Sequence, residues 1–276
     1  MILRVGTDHG EIAVHLAGRD PARAPGILLL HANPGDHRDF AEISTVLGRR
    51  WAIAAVDWPG YGQSGVRDPA AVTVSALVAV AETVCAALSA HGFRELIVVG
   101  SSVGGYVALR LAHRADVAGV VAVAPAGFAP LNLATRLLFR IMSGPRTGPA
   151  LVAPSARAYL GPARSGGARA IYERAVALRD DPARLAVYRS IWAALADPGL
   201  DLRAGDRPGA EVPVQVVWGR NDPINPWVVS RKGVAEALPH AEVAILPARH
   251  EPYAECPQRF LDAVTPFLTR HAASSA

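Results

Sequence analysis

The stretch Val98–Gly105, which reads VVGSSVGG, decides how this chain is interpreted. An apolar run leads into Gly-x-Ser-x-Gly, and the residues that follow, Tyr106–Ala112, have the apolar spacing of a helix. A serine becomes a useful nucleophile when a tight turn between a strand and a helix projects its hydroxyl from the backbone. The spacing selects Ser102 rather than Ser101. We therefore predict a nucleophile elbow at Ser102.

Two later turns supply the partners that an activated serine needs. A base must take the serine proton, and an acid must orient the base and stabilise its positive charge. Asp222 and His250 each follow a strand-like run, and the order Ser102, Asp222, His250 is the order of the nucleophile-elbow hydrolases. Two alternatives stay open. Asp222 could serve only as a turn residue, and Glu251 could act as the acid, although neighbouring side chains on a loop usually diverge.

Strand-like apolar runs alternate with helical patterns along most of the chain. The runs are Ile12–Leu16, Gly26–Leu30, Ala52–Val56, Leu96–Val99, Val117–Ala124, Val214–Trp218 and Val243–Leu246. The helical patterns are Thr73–His91, Val103–His113, Val228–Leu238 and Pro257–His271. Such alternation predicts an α/β fold with a mostly parallel sheet. The first strands, joined near Thr7–Gly10, form an antiparallel hairpin in this interpretation.

The alternation stops between two strand runs, where the sequence is helical or irregular. We predict a mostly helical cap at residues 128–207 and a core domain of residues 1–127 and 208–276, although a peripheral structural excursion is the alternative. A cap would lie over the carboxyl ends of the strands, where open α/β sheets bind ligands. Its aromatic and aliphatic content suggests an apolar substrate pocket. The candidate pocket residues are Phe128, Met142, Trp192 and Trp227.

The serine also requires an oxyanion hole, built from backbone N–H groups. Val103 would supply one N–H group. The loop after Gly26–Leu30 would supply the second, from Asn33, because Pro34 has no N–H. In the same loop we interpret His31 as a hydrogen-bonded structural histidine.

Composition and charge exclude several functional classes. The net charge is +4, but the basic residues are scattered, which argues against a nucleic-acid partner. The two cysteines form neither a disulfide framework nor a metal pair, which favours a reduced, cytoplasmic setting. The first residues resemble no signal peptide, and no apolar run is long enough for a membrane span.

The sequence shows no metal-ligand cluster and suggests no cofactor. The run Gly60–Gly65 matches a dinucleotide-binding pattern, but no helix follows it promptly, so we interpret it as a loop.

Three further motifs resemble those of the α/β-hydrolase superfamily, over nearly the whole chain. Residues 31–35 (HANPG) resemble its oxyanion loop, residues 57–64 (DWPGYGQS) its Asp-x-x-Gly-x-Gly-x-Ser loop, and residues 255–257 (ECP) its Glu-x-Pro after the histidine. Two residues replace glycines of the family pattern. Ala32 leaves less space beside the oxyanion, and Arg249 places a positive charge near the mouth of the site. Haloalkane dehalogenases and soluble epoxide hydrolases are similar but use aspartate where Ser102 stands, so those activities are disfavoured.

The resemblance implies a cofactor-independent serine hydrolase that cleaves an ester or related acyl bond of a small-molecule substrate. A C–C bond hydrolase or an acyltransferase with the same triad is the first alternative. A non-catalytic ligand-binding protein on the same fold is the second. The sequence is compatible with a homodimer.

Overall fold

Each of the seven apolar runs forms a strand, and residues 2–7 form an eighth, in the computed structural model of the protein, which describes residues 1–204 and 212–272. The strands are β1 (Ile2–Thr7), β2 (Gly10–Gly18), β3 (Gly26–Leu30), β4 (Ala52–Val56), β5 (Leu96–Ser101), β6 (Val117–Val123), β7 (Val214–Gly219) and β8 (Glu242–Leu246). They form one sheet in the order β1-β2-β4-β3-β5-β6-β7-β8. Strand β5, which leads to the predicted nucleophile, therefore lies in the middle of the sheet.

The sheet is mostly parallel with an antiparallel beginning. Strands β1 and β2 pair as an antiparallel hairpin in which Thr7 lies opposite Gly10, and β2 also pairs antiparallel with β4. All the other neighbouring strands are parallel. The predicted α/β architecture, a mostly parallel sheet with an antiparallel N-terminal hairpin, is confirmed. The carboxyl ends of the parallel strands consequently meet along one edge of the sheet.

Ten α-helices connect and cover the strands in the described ranges. They are α1 (Ala41–Leu47), α2 (Val74–Ala90), α3 (Val103–Arg110), α4 (Leu133–Ser143), α5 (Thr147–Leu160), α6 (Gly166–Ala177), α7 (Pro182–Ala194), α8 (Trp227–Ala237), α9 (Pro252–Glu255) and α10 (Pro257–His271). Among the residues described, no helix has both the length and the apolar character needed to cross a bilayer.

The central strands of the sheet are buried on both faces. Side chains of successive strand residues point to opposite faces. In β3, Leu28 and Leu30 join one apolar cluster, whereas Ile27 and Leu29 join the other. A strand buried on both sides is apolar at every position, which explains why the central strands read as continuous apolar runs in the sequence.

Helices α4 to α7 occupy the interval between β6 and β7, where the sequence predicts a cap. No strand occurs in the described part of this interval, residues 124–204 and 212–213. The predicted boundary between residues 207 and 208 lies outside the described residues. We keep the division into core and cap as a proposal.

Candidate active site

Ser102 stands at a strained turn between β5 and α3. Its φ of 55° and ψ of −113° lie in a region that L-residues rarely adopt. Its backbone N–H donates a hydrogen bond to the Val123 carbonyl, at 2.9 Å. A Cβ atom built on Gly100 would overlap the Gly104 carbonyl oxygen, and one built on Gly104 would overlap that of Leu30. The two glycines of the motif are therefore required by close backbone packing around Ser102.

His250 and Asp222 meet at the carboxyl ends of β8 and β7. Nδ1 of His250 lies 2.6 Å from Oδ2 of Asp222, and the two side chains are 6% and 0% exposed. The other oxygen of Asp222 accepts hydrogen bonds from the backbone N–H groups of Ile224 and Asn225, both at 2.9 Å. In the neutral ring, the contact with the carboxylate assigns the proton to Nδ1 and leaves the lone pair on Nε2. Burial lowers the pKa of His250, but Asp222 and Glu255 together outweigh burial, so the pKa lies above its ordinary value.

Glu255 holds the loop that carries His250. In the sequence this residue stands out only as part of the Glu-x-Pro motif. The Glu255 carboxylate accepts hydrogen bonds from the N–H groups of Arg249, at 2.9 Å, and Glu251, at 3.0 Å. The N–H of His250 donates to the Tyr159 carbonyl in α5, at 3.2 Å. The backbone on both sides of the histidine is thus fixed.

Arg249 does not occupy the place that the sequence suggests. Its guanidinium donates a hydrogen bond to the Ala158 carbonyl in the last turn of α5. Two cavities, described below, adjoin Ser102, and Arg249 lines neither of them. The cation is directed at the C-terminal end of a helix, where carbonyl groups carry partial negative charge, and so links the predicted cap to the histidine loop.

Asn33 and Val103 line the same narrow cavity as Ser102 and His250. The Asn33 side chain is fixed on both sides, because its oxygen accepts from the Tyr61 hydroxyl at 2.7 Å and its nitrogen donates to the Tyr188 carbonyl at 3.2 Å. In the described ranges, neither the Asn33 nor the Val103 backbone N–H donates to a protein acceptor. Both N–H groups therefore stay available to an oxygen atom in the cavity.

Two cavities of different character meet at Ser102 and His250. The larger, of about 100 Å³, has a mostly apolar wall. Its apolar residues include Ala126, Leu131, Leu138, Phe139, Leu195, Leu200 and Ile224. The narrower, of about 30 Å³, has walls that include Ser155, Tyr159, Tyr188 and Glu251. The arrangement can hold a substrate with one group on each side of the serine.

Of the four candidate pocket residues, Trp192 lines both cavities. The structure places the other three elsewhere. Phe128 is fully buried in the core, and Met142, at the end of α4, packs into the same cluster. Trp227 packs against Trp218, with ring centroids 5.3 Å apart. Large apolar side chains serve core packing as well as ligand binding, and composition does not separate the two uses.

His31 has the structural role that the sequence suggests. It is fully buried; Nδ1 donates to the Ala32 carbonyl at 2.7 Å, and Nε2 accepts from the Trp58 N–H at 3.0 Å. With one nitrogen donating and the other accepting, the ring is neutral. Burial accordingly lowers its pKa.

Asp57 organises the loop that carries the Gly60–Gly65 pattern. Its carboxylate accepts from the N–H groups of His37 and Gln63, both at 2.8 Å, and lies within 2.9 Å of ring nitrogens of His15 and His37. Burial raises its pKa, but the hydrogen bonds of His37 and Gln63 outweigh burial and hold the pKa well below its usual range. A Cβ atom on Gly62 would overlap this carboxylate. The Gly60–Gly65 pattern therefore belongs to a loop that packs around the Asp57 carboxylate, where Gly62 leaves the necessary space.

The cluster formed by Asp57 and the two histidines beside it is not apparent in the sequence. His15, His37 and Asp57 offer ligand atoms within 4.8 Å of one another, a spacing that a metal ion could use. Here the histidine rings stack, with centroids 3.3 Å apart, and bond directly to the aspartate. Hydrogen bonding accounts for this cluster.

Comparison with known proteins finds a matching family profile, similar sequences and a similar crystal structure. A family profile described as "Alpha/beta hydrolase family" matches residues 27–263. The chain is 28% identical over 222 residues to "Putative carbamate hydrolase RutD" of Cronobacter turicensis, which covers 78% of this chain and 79% of that protein. It is 29% identical over 113 residues to "Protein NDRG2" of Danio rerio, but spans only 30% of that relative's length, with 38% of its own. The crystal structure of the enol-lactonase from Burkholderia xenovorans LB400 superposes with a TM-score of 0.81 at 19% identity, over 97% of this chain and 100% of that one.

Proposed function

The chain belongs to the alpha/beta hydrolase family, and we propose that it is a serine hydrolase that cleaves an ester or related acyl bond of a small, largely apolar substrate. One observation carries the proposal most strongly. His250, hydrogen-bonded to Asp222, lies in the wall of the same cavities as Ser102, which is held in a strained elbow conformation. A buried base and a partly exposed serine on a strained turn, at one cavity, are the parts that acyl transfer requires.

The proposed reaction has two steps. The Ser102 hydroxyl attacks the carbonyl carbon, and Nε2 of His250 takes its proton and passes it to the leaving group, whose bond to the acyl carbon breaks. Asp222 stabilises the imidazolium, while the N–H groups of Asn33 and Val103 bind the oxyanion. Water, deprotonated by His250, then attacks the acyl-enzyme, and Ser102 recovers its proton as the acid is released.

The relatives support chemistry at an acyl carbon. One is named as a carbamate hydrolase and another as an enol-lactonase, and in both bond types a nucleophile attacks a carbonyl group bound to oxygen or nitrogen. The mostly apolar wall of the larger cavity supports an apolar group on at least one side of the bond.

We also propose that residues 128–207 act as a cap. Leu138 and Phe139 of α4 and Trp192 of α7 contribute to the wall of the larger cavity. A helical segment that supplies one wall of a substrate cavity can bury the apolar part of the substrate and so select it.

The test is intact-mass analysis after fluorophosphonate treatment, together with turnover of p-nitrophenyl esters. Wild-type protein should gain one adduct, whereas Ser102→Ala should gain none and lose about 10⁴-fold or more in turnover. Ser101→Ala is the matched control and should still be labelled, because the Ser101 side chain is buried and lines neither cavity. A wild-type protein that is neither labelled nor active would overturn the proposal and favour a ligand-binding role. Product analysis separates ester cleavage from C–C cleavage or acyl transfer.

A further inference from the structure

Helix α4, which supplies part of the wall of the larger cavity, leaves a row of leucine side chains in contact with water. Leu133 and Leu137 are 83% and 54% exposed, and they lie one helical turn apart on the same face of α4. Leu138, next to this row, is 37% exposed and lines the larger cavity. The helix therefore carries an apolar surface that runs from its solvent side to the cavity beside Ser102.

This row belongs to a well-anchored helix. At the start of α4, the Thr135 N–H donates a hydrogen bond to the Asn132 side chain, at 3.1 Å. At its end, Arg189 of α7 donates to the Ser143 carbonyl, at 2.9 Å, and Met142 is buried in the core. Because the helix is held at both ends, the exposed leucines can be buried only by a contact outside the described part of the chain.

The same part of the chain carries a local excess of positive charge. Residues 117–172 contain six arginines and neither aspartate nor glutamate, so the rest of the chain has a slight acidic excess. All six arginines are exposed, and the ion pairs that arginines form within the described ranges include none of them. They are Arg136, Arg140, Arg146, Arg157, Arg164 and Arg169. Scattered as the basic residues are in the sequence, the segment from α4 to α6 is cationic.

Two of these arginines flank the leucine row. Arg136 and Arg140 each follow a leucine of the row by three residues, so they lie beside Leu133 and Leu137 on the helix surface. An arginine side chain can lay its aliphatic stem along an apolar surface and extend its charged head beyond it. Exposed leucines flanked by arginines are typical of helices that lie in the interface of a bilayer with anionic headgroups.

Two other occupants fit this face less well. A second copy in a two-fold contact would bring the cationic segment of one protomer against the same segment of its partner. A nucleic acid would neutralise the arginines through its phosphates but would leave Leu133 and Leu137 without an apolar partner. An anionic lipid surface satisfies both the leucines and the arginines.

We propose that the outer face of α4, formed by Leu133, Arg136, Leu137 and Arg140, docks the protein onto a lipid surface with anionic headgroups. The leucines enter the boundary of the acyl chains, and the arginines meet the phosphates. Docking in this way turns the side of the larger cavity that Leu138 lines toward the lipid, so that an apolar substrate can pass from the lipid into the cavity. The docking surface goes beyond the proposed hydrolase function and does not depend on it.

Co-sedimentation of the full chain with vesicles tests the docking surface. One set of vesicles is pure phosphatidylcholine, and the other contains equal parts of phosphatidylcholine and phosphatidylglycerol. Wild-type protein should bind the anionic vesicles about tenfold or more tightly than the zwitterionic ones, because each arginine near an anionic surface adds to the attraction. Raising NaCl to about 1 M, where the Debye length is about 3 Å, should remove most of this difference.

Two double substitutions connect the binding to α4. Leu133→Ser combined with Leu137→Ser should weaken binding to the anionic vesicles by about tenfold or more, because the apolar area buried in the lipid is lost. Arg136→Gln combined with Arg140→Gln should weaken it by about fivefold or more and reduce its salt dependence.

Matched controls lie elsewhere on the surface. Val46→Ser removes an apolar side chain of α1 that is 42% exposed, and Arg23→Gln removes an arginine whose side chain is 86% exposed. Both should bind as the wild type does. Thermal unfolding checks that every variant is folded, and the leucine variant should unfold near the wild-type temperature because both leucines are exposed. If the leucine variant fails to fold, the arginine variant decides.

The outcomes separate this proposal from the hydrolase function. Wild-type protein that fails to sediment with anionic vesicles, or that binds both kinds of vesicle equally, overturns the docking surface. Binding that survives both double substitutions overturns the role of α4. A dimer in solution that the leucine variant dissociates would assign this face to a second copy and overturn the lipid contact. Labelling of Ser102 by a fluorophosphonate tests the hydrolase function separately, whichever result the vesicles give.

Discussion

The carboxylate of Glu255 accepts a hydrogen bond from the backbone N–H of Arg249, at 2.9 Å. It also accepts the N–H of Glu251, so that one side chain holds the residues on both sides of His250. Hydrogen bonds to a charged acceptor are stronger than those between neutral groups. Glu255 is therefore a positioning residue that acts through the histidine loop.

Glu255→Gln should reduce kcat for p-nitrophenyl esters by about 10-fold to 100-fold with little change in KM. The neutral amide weakens both hydrogen bonds, and a small displacement of a catalytic group is costly. Steady-state kinetics measure the effect, with Glu236→Gln as the control for an exposed glutamate. A variant that loses thermal stability but keeps wild-type kcat would show a purely structural role for Glu255.

The pH dependence of kcat/KM should follow the ionisation of His250. Asp222 and Glu255 raise its pKa above 6.5 despite its burial. Only the neutral ring can accept the Ser102 proton, so activity should rise with pH and reach half its maximum above pH 6.5. Asp222→Asn should move the midpoint to lower pH and reduce kcat by up to about 10⁴-fold. A wild-type midpoint at or below pH 6.5 would contradict this electrostatic coupling.

Gly104→Ala should destabilise the protein by about 1–3 kcal/mol or more and reduce activity at least 100-fold. The added methyl group would overlap the Leu30 carbonyl oxygen and push the elbow away from the oxyanion loop. Gly6→Ala is the matched control, since a Cβ atom there meets nothing within 4 Å. Urea unfolding and ester turnover measure both variants. Equal stability of the two would rule out close packing as the reason for Gly104.

Part of the folding free energy should disappear on acidification because of His31. Its pKa is lowered in the folded protein, so below pH 6.5 the unfolded chain binds a proton more readily. The stability contributed by the neutral ring is complete above pH 6.5 and is lost as the pH falls below it. His31→Gln should be less stable than wild type at pH 8, yet lose less urea resistance between pH 8 and pH 5.5. The exposed His91→Gln control should retain the wild-type pH dependence; an identical dependence in His31→Gln would contradict the prediction.

Local patterns account for what could be predicted of the fold. Continuous apolar runs such as Gly26–Leu30 predict strands buried on both faces, and the threefold and fourfold spacing of Thr73–His91 predicts α2 almost to the residue. The turn between Thr7 and Gly10 predicts the hairpin. These signals lie within a few residues of one another, so sequence alone carries them.

In the candidate site, too, local sequence patterns predict some features and leave others open. The glycine spacing selects Ser102, and the positions of Asp222 and His250 after strands suggest that they meet, although their catalytic roles stay predictions. The wall of the cavities could not be read in the same way. Trp192 and Phe128 are both large apolar residues of the predicted cap, yet only Trp192 lines a cavity next to Ser102.

The sequence by itself determined the α/β architecture, the turn at Ser102 and the loops that carry Asp222 and His250, because strand period, helix period and turn chemistry are local properties. Only the tertiary structure decided that Glu255 holds the histidine loop, that Arg249 turns toward α5, and that Glu251 is fully buried. Those relationships depend on distances between side chains on separate elements, and packing sets such distances only when the whole chain has folded.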